Sequence, residues 1–347
     1  MLCIFPLIRI PALSVNCQRQ SRDLESSQEM KILFYIDHIT VRGTTNALFA
    51  YAYHNEKLLG NTSQIIMDYT NLSRCESIAL QYYPKVMPIT IYSSEETLQR
   101  LCDGADAIYY IKYGKNDVKL PKNIKTLVHC VFNMTEPHGD VYAGVSKSLA
   151  SKFGSNLYVP HMIDVDFVPQ TGSLREQLRI TPASLVFGRY GGNDTFDLQF
   201  VAEAMVELVT TNPNIYFIFA GTTKFFDHPQ LIFCSAFIEP EIKRLFINTC
   251  DAYIEAGTMG HSFGLAMGEF SVYNKPVIAY RPGKSDKPLL NTAHLDILGD
   301  KGLYFKDKDE FTATILQFSV KENEDYNCYK EYTPEKVMEQ FRNVFLT

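Results

Sequence analysis

EAGTMGHSFGLAMGEFSVYNKPVIAY, residues 255–280, joins two apolar runs through a loop of small residues and a helix. AYIEAG (252–257) and KPVIAYRPG (275–283) are short apolar stretches fit for buried parallel strands, and SFGLAMGEFSVYN (262–274) between them has the length of a helix. Strand, loop, helix, strand is the unit of a parallel sheet. The helix starts near Phe263, Gly264 and Leu265, and its free N–H groups and positive dipole end make a ready anion site. Glu269 lies further in, within reach of a ribose whose phosphates sit at the helix start. Spacing alone leaves a second reading open: a helix packed on a sheet, with Gly264 and Gly268 allowing close approach and Glu269 facing solvent.

The same rhythm extends outward in both directions. Upstream, ASLVFGRYGG (183–192) is a strand and glycine turn, FDLQFVAEAMVELVTTNP (196–213) an amphipathic helix, and IYFIFAG (215–221) and LIFCSA (231–236) are strands. EPEIKRLFINTC (239–250) reads as a helix with proline in its first turn. Downstream follow a short strand, GLYFKD (302–307), and a terminal helix, TPEKVMEQFRNVFL (333–346). In the first half KILFYID (31–37), SQIIMDY (63–69), VMPITIY (86–92), AIYYIKY (107–113) and TLVHCVF (126–132) read as strands. Helices fall between residues 44 and 60, at SEETLQRLC (94–102) and at SKSLASKFG (146–154). This predicts two doubly wound α/β domains facing a central cleft, with ligands at the C-terminal strand ends. The expected division is an extension over 1–29, a first domain over 30–165, a second over 166–330, and a terminal helix, 331–347, that packs back on the first.

Size and charge agree with this frame. The 347 residues suggest about two domains at roughly 150 residues each. Acidic residues exceed basic ones, for a net charge of −6, which argues against a general nucleic-acid binder. None of the eight cysteines forms a C-x-x-C pair, so free thiols in a reducing, cytoplasmic compartment are expected rather than zinc or disulfides. The opening MLCIFPLIRIPALSVNC lacks a charged start, is broken by Arg9 and two prolines, and precedes no A-x-A site. It reads as an extension outside the fold, with a cleaved export signal as the alternative. It is also shorter than the roughly 20 apolar residues a membrane span needs; peripheral membrane contact stays open. No D-x-D stands before a strand end, so no catalytic metal is expected, and Asp103 and Asp106 flank a turn at Gly104.

In its order of motifs the chain resembles the retaining GT-B glycosyltransferases of family 4. The loop, F-G-L, Glu and P-V-I-A of residues 255–280 are similar to that family's signature. LVFGRYGG resembles the strand that supplies its phosphate-binding arginine, here Arg189, and GDKGLYF (299–305) its late glycine turn. GVSKSLASKFGSNLYVPHMIDVDFVP (144–169) is similar to its serine-started helix and linker, and LVHCVFN (127–133) to the strand carrying its active-site histidine, here His129. Two positions depart from the pattern. Eight residues before Glu269, where the family has a first glutamate, stands His261; five after Arg189, where it has lysine, stands Asp194.

The resemblance implies transfer of a sugar, with retention, from a UDP- or GDP-sugar to a glycan, lipid-linked or other hydroxyl acceptor, with no other cofactor. It implies His129, His261 and Arg189 as catalytic, and Gly43, Thr44, Arg189, Phe263, Gly264, Leu265 and Glu269 as donor-binding. For the displaced lysine, either another cation serves, with Lys224, Arg281 and Lys284 as candidates, or Gly191, Gly192 and Asn193 bind phosphate through backbone N–H groups. His38 reads as a turn residue, and His161 with Asp164 as a pair ordering the hinge. A nucleotide-sugar epimerase of the same fold and a catalytically impaired sugar- or nucleotide-binding protein are the alternatives.

Overall fold

The computed structural model describes residues 29–164, 172–192, 194–321 and 323–347. Residues 1–28 of the expected extension, the expected domain boundary at 165/166 and Asn193 lie outside the described residues. The first half begins with β1 (Lys31–Tyr35), α1 (Gly43–Leu59), β2 (Thr62–Asp68), α2 (Ser77–Val86), β3 (Ile89–Tyr92) and α3 (Glu95–Asp103). It continues with β4 (Ala107–Lys112), β5 (Lys125–Cys130), β6 (Val141–Gly144) and α4 (Lys147–Lys152). Every pairing is parallel and the order is β3-β2-β1-β4-β5-β6. Buried runs such as Ile32 to Phe34 and Ala107 to Tyr109, all 0% exposed, explain why these strands read as continuous apolar stretches: helices cover both sheet faces.

The second half holds β7 (Leu185–Tyr190), α5 (Gln199–Thr211), β8 (Ile215–Ala220), β9 (Leu231–Cys234), α6 (Pro240–Thr249) and β10 (Ala252–Glu255). Next come β11 (Gly260–His261), α7 (Leu265–Val272), β12 (Val277–Tyr280), β13 (Asn291–Thr292), α8 (Ala293–Leu298), β14 (Leu303–Phe305), α9 (Lys308–Leu316) and α10 (Pro334–Phe341). Its main sheet runs β14-β12-β10-β7-β8-β9, while β11 and β13 form a separate parallel pair. Counted from its own first strand this is again the order 3-2-1-4-5-6. Both sheets therefore reverse direction beside their first strand, between β1 and β4 and between β7 and β10, and such a switch point opens a crevice at the C-terminal strand ends.

Local chemistry sets the helix boundaries. Ser94 accepts from the Thr97 N–H, Ser146 from Leu149 and Asp307 from Glu310, each capping a helix start. Gly60, with φ 70°, ends α1. Several elements have no counterpart in the sequence reading: α2, which carries Pro84 inside it, the short strands β6, β11 and β13, and helices α8 and α9. One buried cluster runs from Ile32 and Phe34 through Met162 and Ile163 to Phe263 and Phe270, so the two halves share apolar packing. From the end of the chain, α10 returns against α1, and Phe341 stacks on Tyr51 with centroids 5.3 Å apart.

Candidate functional site

Between the two switch points lies a cavity of about 280 Å³ lined from both halves. The first half gives it the start of α1, with Gly43 and Thr44, and the residues just past β5, Val131 and Phe132. The second half gives it Arg189, Gly191 and Gly192 after β7, and His261, Phe263, Gly264, Leu265 and Glu269 around the start of α7. Two helix N-termini converge here: a Cβ placed on Gly43 would lie 3.0 Å from the Leu265 side chain. Gly264 begins α7 at φ 93°, and a Cβ on it would lie 2.5 Å from Met267 Cε, so glycine is needed for both conformation and space. Two sets of free helical N–H groups thus face one space, an arrangement suited to an anion.

Arg189 is 1% exposed at the end of β7. Its Nη1 donates to Thr222 Oγ1 at 2.7 Å and its Nη2 to Thr195 Oγ1, and the guanidinium lies 5.4 Å from the centre of the Phe196 ring. Beside it on β10 is Glu255, also 1% exposed. His261 Nε2 sits 3.0 Å from Glu255 Oε1, and the Tyr253 hydroxyl donates to Oε2 at 3.3 Å. Burial drives the Glu255 carboxyl up, but His261, then Arg189 and His294, together outweigh it and hold the group at about 2. Glu255 is a fixed anion buried behind the cavity-lining His261, and the sequence reading assigned it no role. Its place at the strand end beside β7 was the available signal.

Glu269 is 5% exposed and already engaged. Lys243, from α6, donates to its Oε1 at 2.6 Å, and the Tyr190 hydroxyl donates to Oε2. Lys243 also lines the cavity, and so adds a cation from α6 to the same space as Arg189. Arg281 stacks on Tyr304 and Lys224 pairs with Asp227; neither of these, nor Lys284, lines the cavity. The reading of Glu269 as solvent-facing is likewise replaced. Asp194 does not stand bare among phosphate sites either, because Arg42 Nη2 lies 3.1 Å from its Oδ1.

His129 is a correction. It does not line this cavity but is 0% exposed within the core. Its Nε2 donates to the Val159 carbonyl at 2.8 Å, and its Nδ1 accepts from the Tyr109 hydroxyl at 2.6 Å. Burial pulls its pKa down to about 4, against the raising effect of its backbone contacts. A neutral imidazole with both nitrogens committed holds strand to linker. His129 sits on the strand itself, and the chain reaches the cavity only at Val131 and Phe132, so that wall is apolar. The histidine that does line the first half's side is His161, 6% exposed. Asp164 pairs with His54 at 2.8 Å rather than with His161. His38 contacts Asp37 at 2.9 Å, and Asp106 accepts from the Lys31 N–H at 2.7 Å. Among the described residues no cluster of three or more His, Cys, Asp or Glu is placed to hold a metal ion, and no helix is long and apolar enough to cross a membrane.

No family model matches the chain, and no curated protein matches it in sequence. Solved structures do match in fold. HepE of Anabaena, solved with UDP and glucose, superposes with TM-score 0.67 at 12% identity, over 92% of this chain and 100% of its own. A glycosyltransferase from Rickettsia africae gives 0.59 at 13% identity, over 92% and 95%. A putative UDP-N-acetylglucosamine 2-epimerase from Listeria monocytogenes gives 0.55 at 10% identity, over 91% and 95%. At such identities the likeness speaks for the fold: two parallel six-stranded sheets arranged as in the GT-B glycosyltransferases.

Proposed function

We propose that the chain is a retaining, family-4-like glycosyltransferase that takes a sugar from a UDP- or GDP-sugar and passes it to a glycan, lipid-linked or other hydroxyl acceptor. The observation that carries this reading is the meeting of Arg189, Lys243 and the N-termini of α1 and α7 around one cavity. As the glycosidic bond loosens, charge grows on the departing diphosphate, and positive groups fixed in advance stabilise that charge without reorganising. Arg189 is immobilised by two threonines, which suits it to this work. No metal has a part in the reading. HepE, whose fold this chain shares, was solved with UDP and glucose, in keeping with such a donor.

Glu269, held by Lys243 and Tyr190, keeps lone pairs for a ribose hydroxyl. His261, oriented by Glu255, faces the sugar with a single ring nitrogen to spare. The acceptor enters against the first half, over Val131 and Phe132, and closure of the halves keeps water from the donor. Free thiols at Cys75, Cys102, Cys130, Cys250 and Cys328 accord with a cytoplasmic setting.

The epimerase reading is favoured by the Listeria neighbour and would use carboxyls as acid and base at the sugar, with no acceptor. The test is incubation with a panel of UDP- and GDP-sugars, following free nucleotide and sugar identity. Acceptor-dependent nucleotide release is expected. A converted sugar without release would give the epimerase instead, and tight nucleotide binding without turnover the impaired binding protein.

A further inference from the structure

At the mouth of the cavity one ion pair joins the two halves. Arg42 immediately precedes α1, and Asp194 lies just beyond the glycine turn that follows Arg189. Arg42 Nη2 is 3.1 Å from Asp194 Oδ1, with the side chains 53% and 64% exposed. A Cβ on Gly192 would lie 3.0 Å from Asp194 Oδ1 and 3.8 Å from Arg42 Cζ, so the guanidinium rests over the same turn that holds Arg189. The cavity's cations are therefore held in different ways. Arg189 is locked among threonines and Lys243 is tied to buried Glu269, but Arg42 has an exposed partner across the cleft.

We propose that Arg42 is a phosphate-binding residue contributed by the first half, and that Asp194 is its resident counter-ion, displaced when a nucleoside diphosphate arrives. This inference rests on the nucleotide-sugar reading above. An exposed carboxylate pair is weak and readily exchanged, whereas a guanidinium forms parallel charge-assisted bonds to phosphate. Binding must first break the Arg42–Asp194 pair, so Asp194 opposes binding as a competitor for the guanidinium. Deleting this acidic side chain should therefore strengthen binding, the reverse of the usual effect of removing a polar group from a site. Asp194 then limits how tightly the product diphosphate is held.

The experiment titrates UDP, GDP and ADP calorimetrically into the full chain and into Asp194→Asn, Arg42→Gln and the double variant. Both positions are exposed, and a thermal melt verifies that each variant keeps the fold. For the diphosphate that binds, Asp194→Asn should tighten affinity about fivefold, the upper size of one solvent-exposed charge pair, and the gain should shrink with added salt. Arg42→Gln should weaken affinity about tenfold, and in that background Asp194→Asn should gain less than about twofold. No gain from Asp194→Asn, or an equal gain in both backgrounds, overturns the proposal while leaving the nucleotide-sugar reading intact. If none of the three diphosphates binds the unaltered chain, that reading itself fails and this one with it.

Discussion

The two sheets share one strand order, yet the walls they present to the cavity have opposite chemistry. After β7 and β10 the second sheet presents Arg189 and His261, with Lys243 and Glu269 beside them and Glu255 buried behind His261. After β5 the first sheet presents Val131 and Phe132, and its histidine stays inside the core. Topology fixes where a crevice opens, while charge is set by which residues stand at the strand ends. The first half supplies polarity by other means: the N–H groups of α1 and the guanidinium of Arg42.

The largest effect that separates the walls should come from Arg189→Ala. It leaves Glu255 buried with less positive charge around it, and urea denaturation should show a loss of about 3–5 kcal/mol. A loss below about 1 kcal/mol would mean that the second wall is not organised around this arginine.

Acid titration comes next and separates buried histidines from the buried carboxyl. The histidines sunk in the fold, His129 and His294, are both lowered to about 4 by burial. Their unfolded forms bind protons that the folded chain refuses, so stability should be full above pH 6.5 and fall as pH drops towards 4. Glu255, depressed to about 2, contributes stability that is full above its unfolded value near 4.5 and is lost as pH falls towards 2. Each group accounts for up to about 3 kcal/mol. In a urea series, His129→Phe should flatten the upper window and leave the lower one in place; an unaltered slope between pH 6.5 and 4 would reject the assignment of His129.

Smaller effects concern ligand. Glu269→Ala should weaken diphosphate binding by about 1–3 kcal/mol, through the lost ribose contact and the release of Lys243; calorimetry that finds unchanged affinity would remove Glu269 from the site. The smallest expected change is in donor affinity on His129→Gln, within about 0.5 kcal/mol, because the imidazole lies behind the wall. A comparable loss from His129→Gln and Glu269→Ala would return His129 to the cavity.

Much of the frame was legible in the sequence, because a strand buried on both faces writes itself as an apolar run and a glycine marks the turn after it. KILFYID, LVFGRYGG and AYIEAG needed no more than that. Elements with weak local signals were not legible: α2 carries Pro84, and β6 is four residues long. In the site, Gly264 and Leu265 could be read because a helix start depends on neighbours in the chain. Lys243 and Glu255 could not, since each acts on a partner far along the sequence, and Arg42 could be placed at the first strand-to-helix turn but not against Asp194.

The sequence by itself determined the alternation of strands and helices, the two halves, and the glycine-started helix that faces the cavity. Tertiary structure alone decided which charges meet. It drew Lys243 to Glu269, Arg42 to Asp194 and Glu255 to His261, and it put His129 two residues short of the cavity wall. The physical reason is range: periodicity and capping act over a few residues, whereas the state of a buried charge depends on whatever the fold brings within a few ångströms of it.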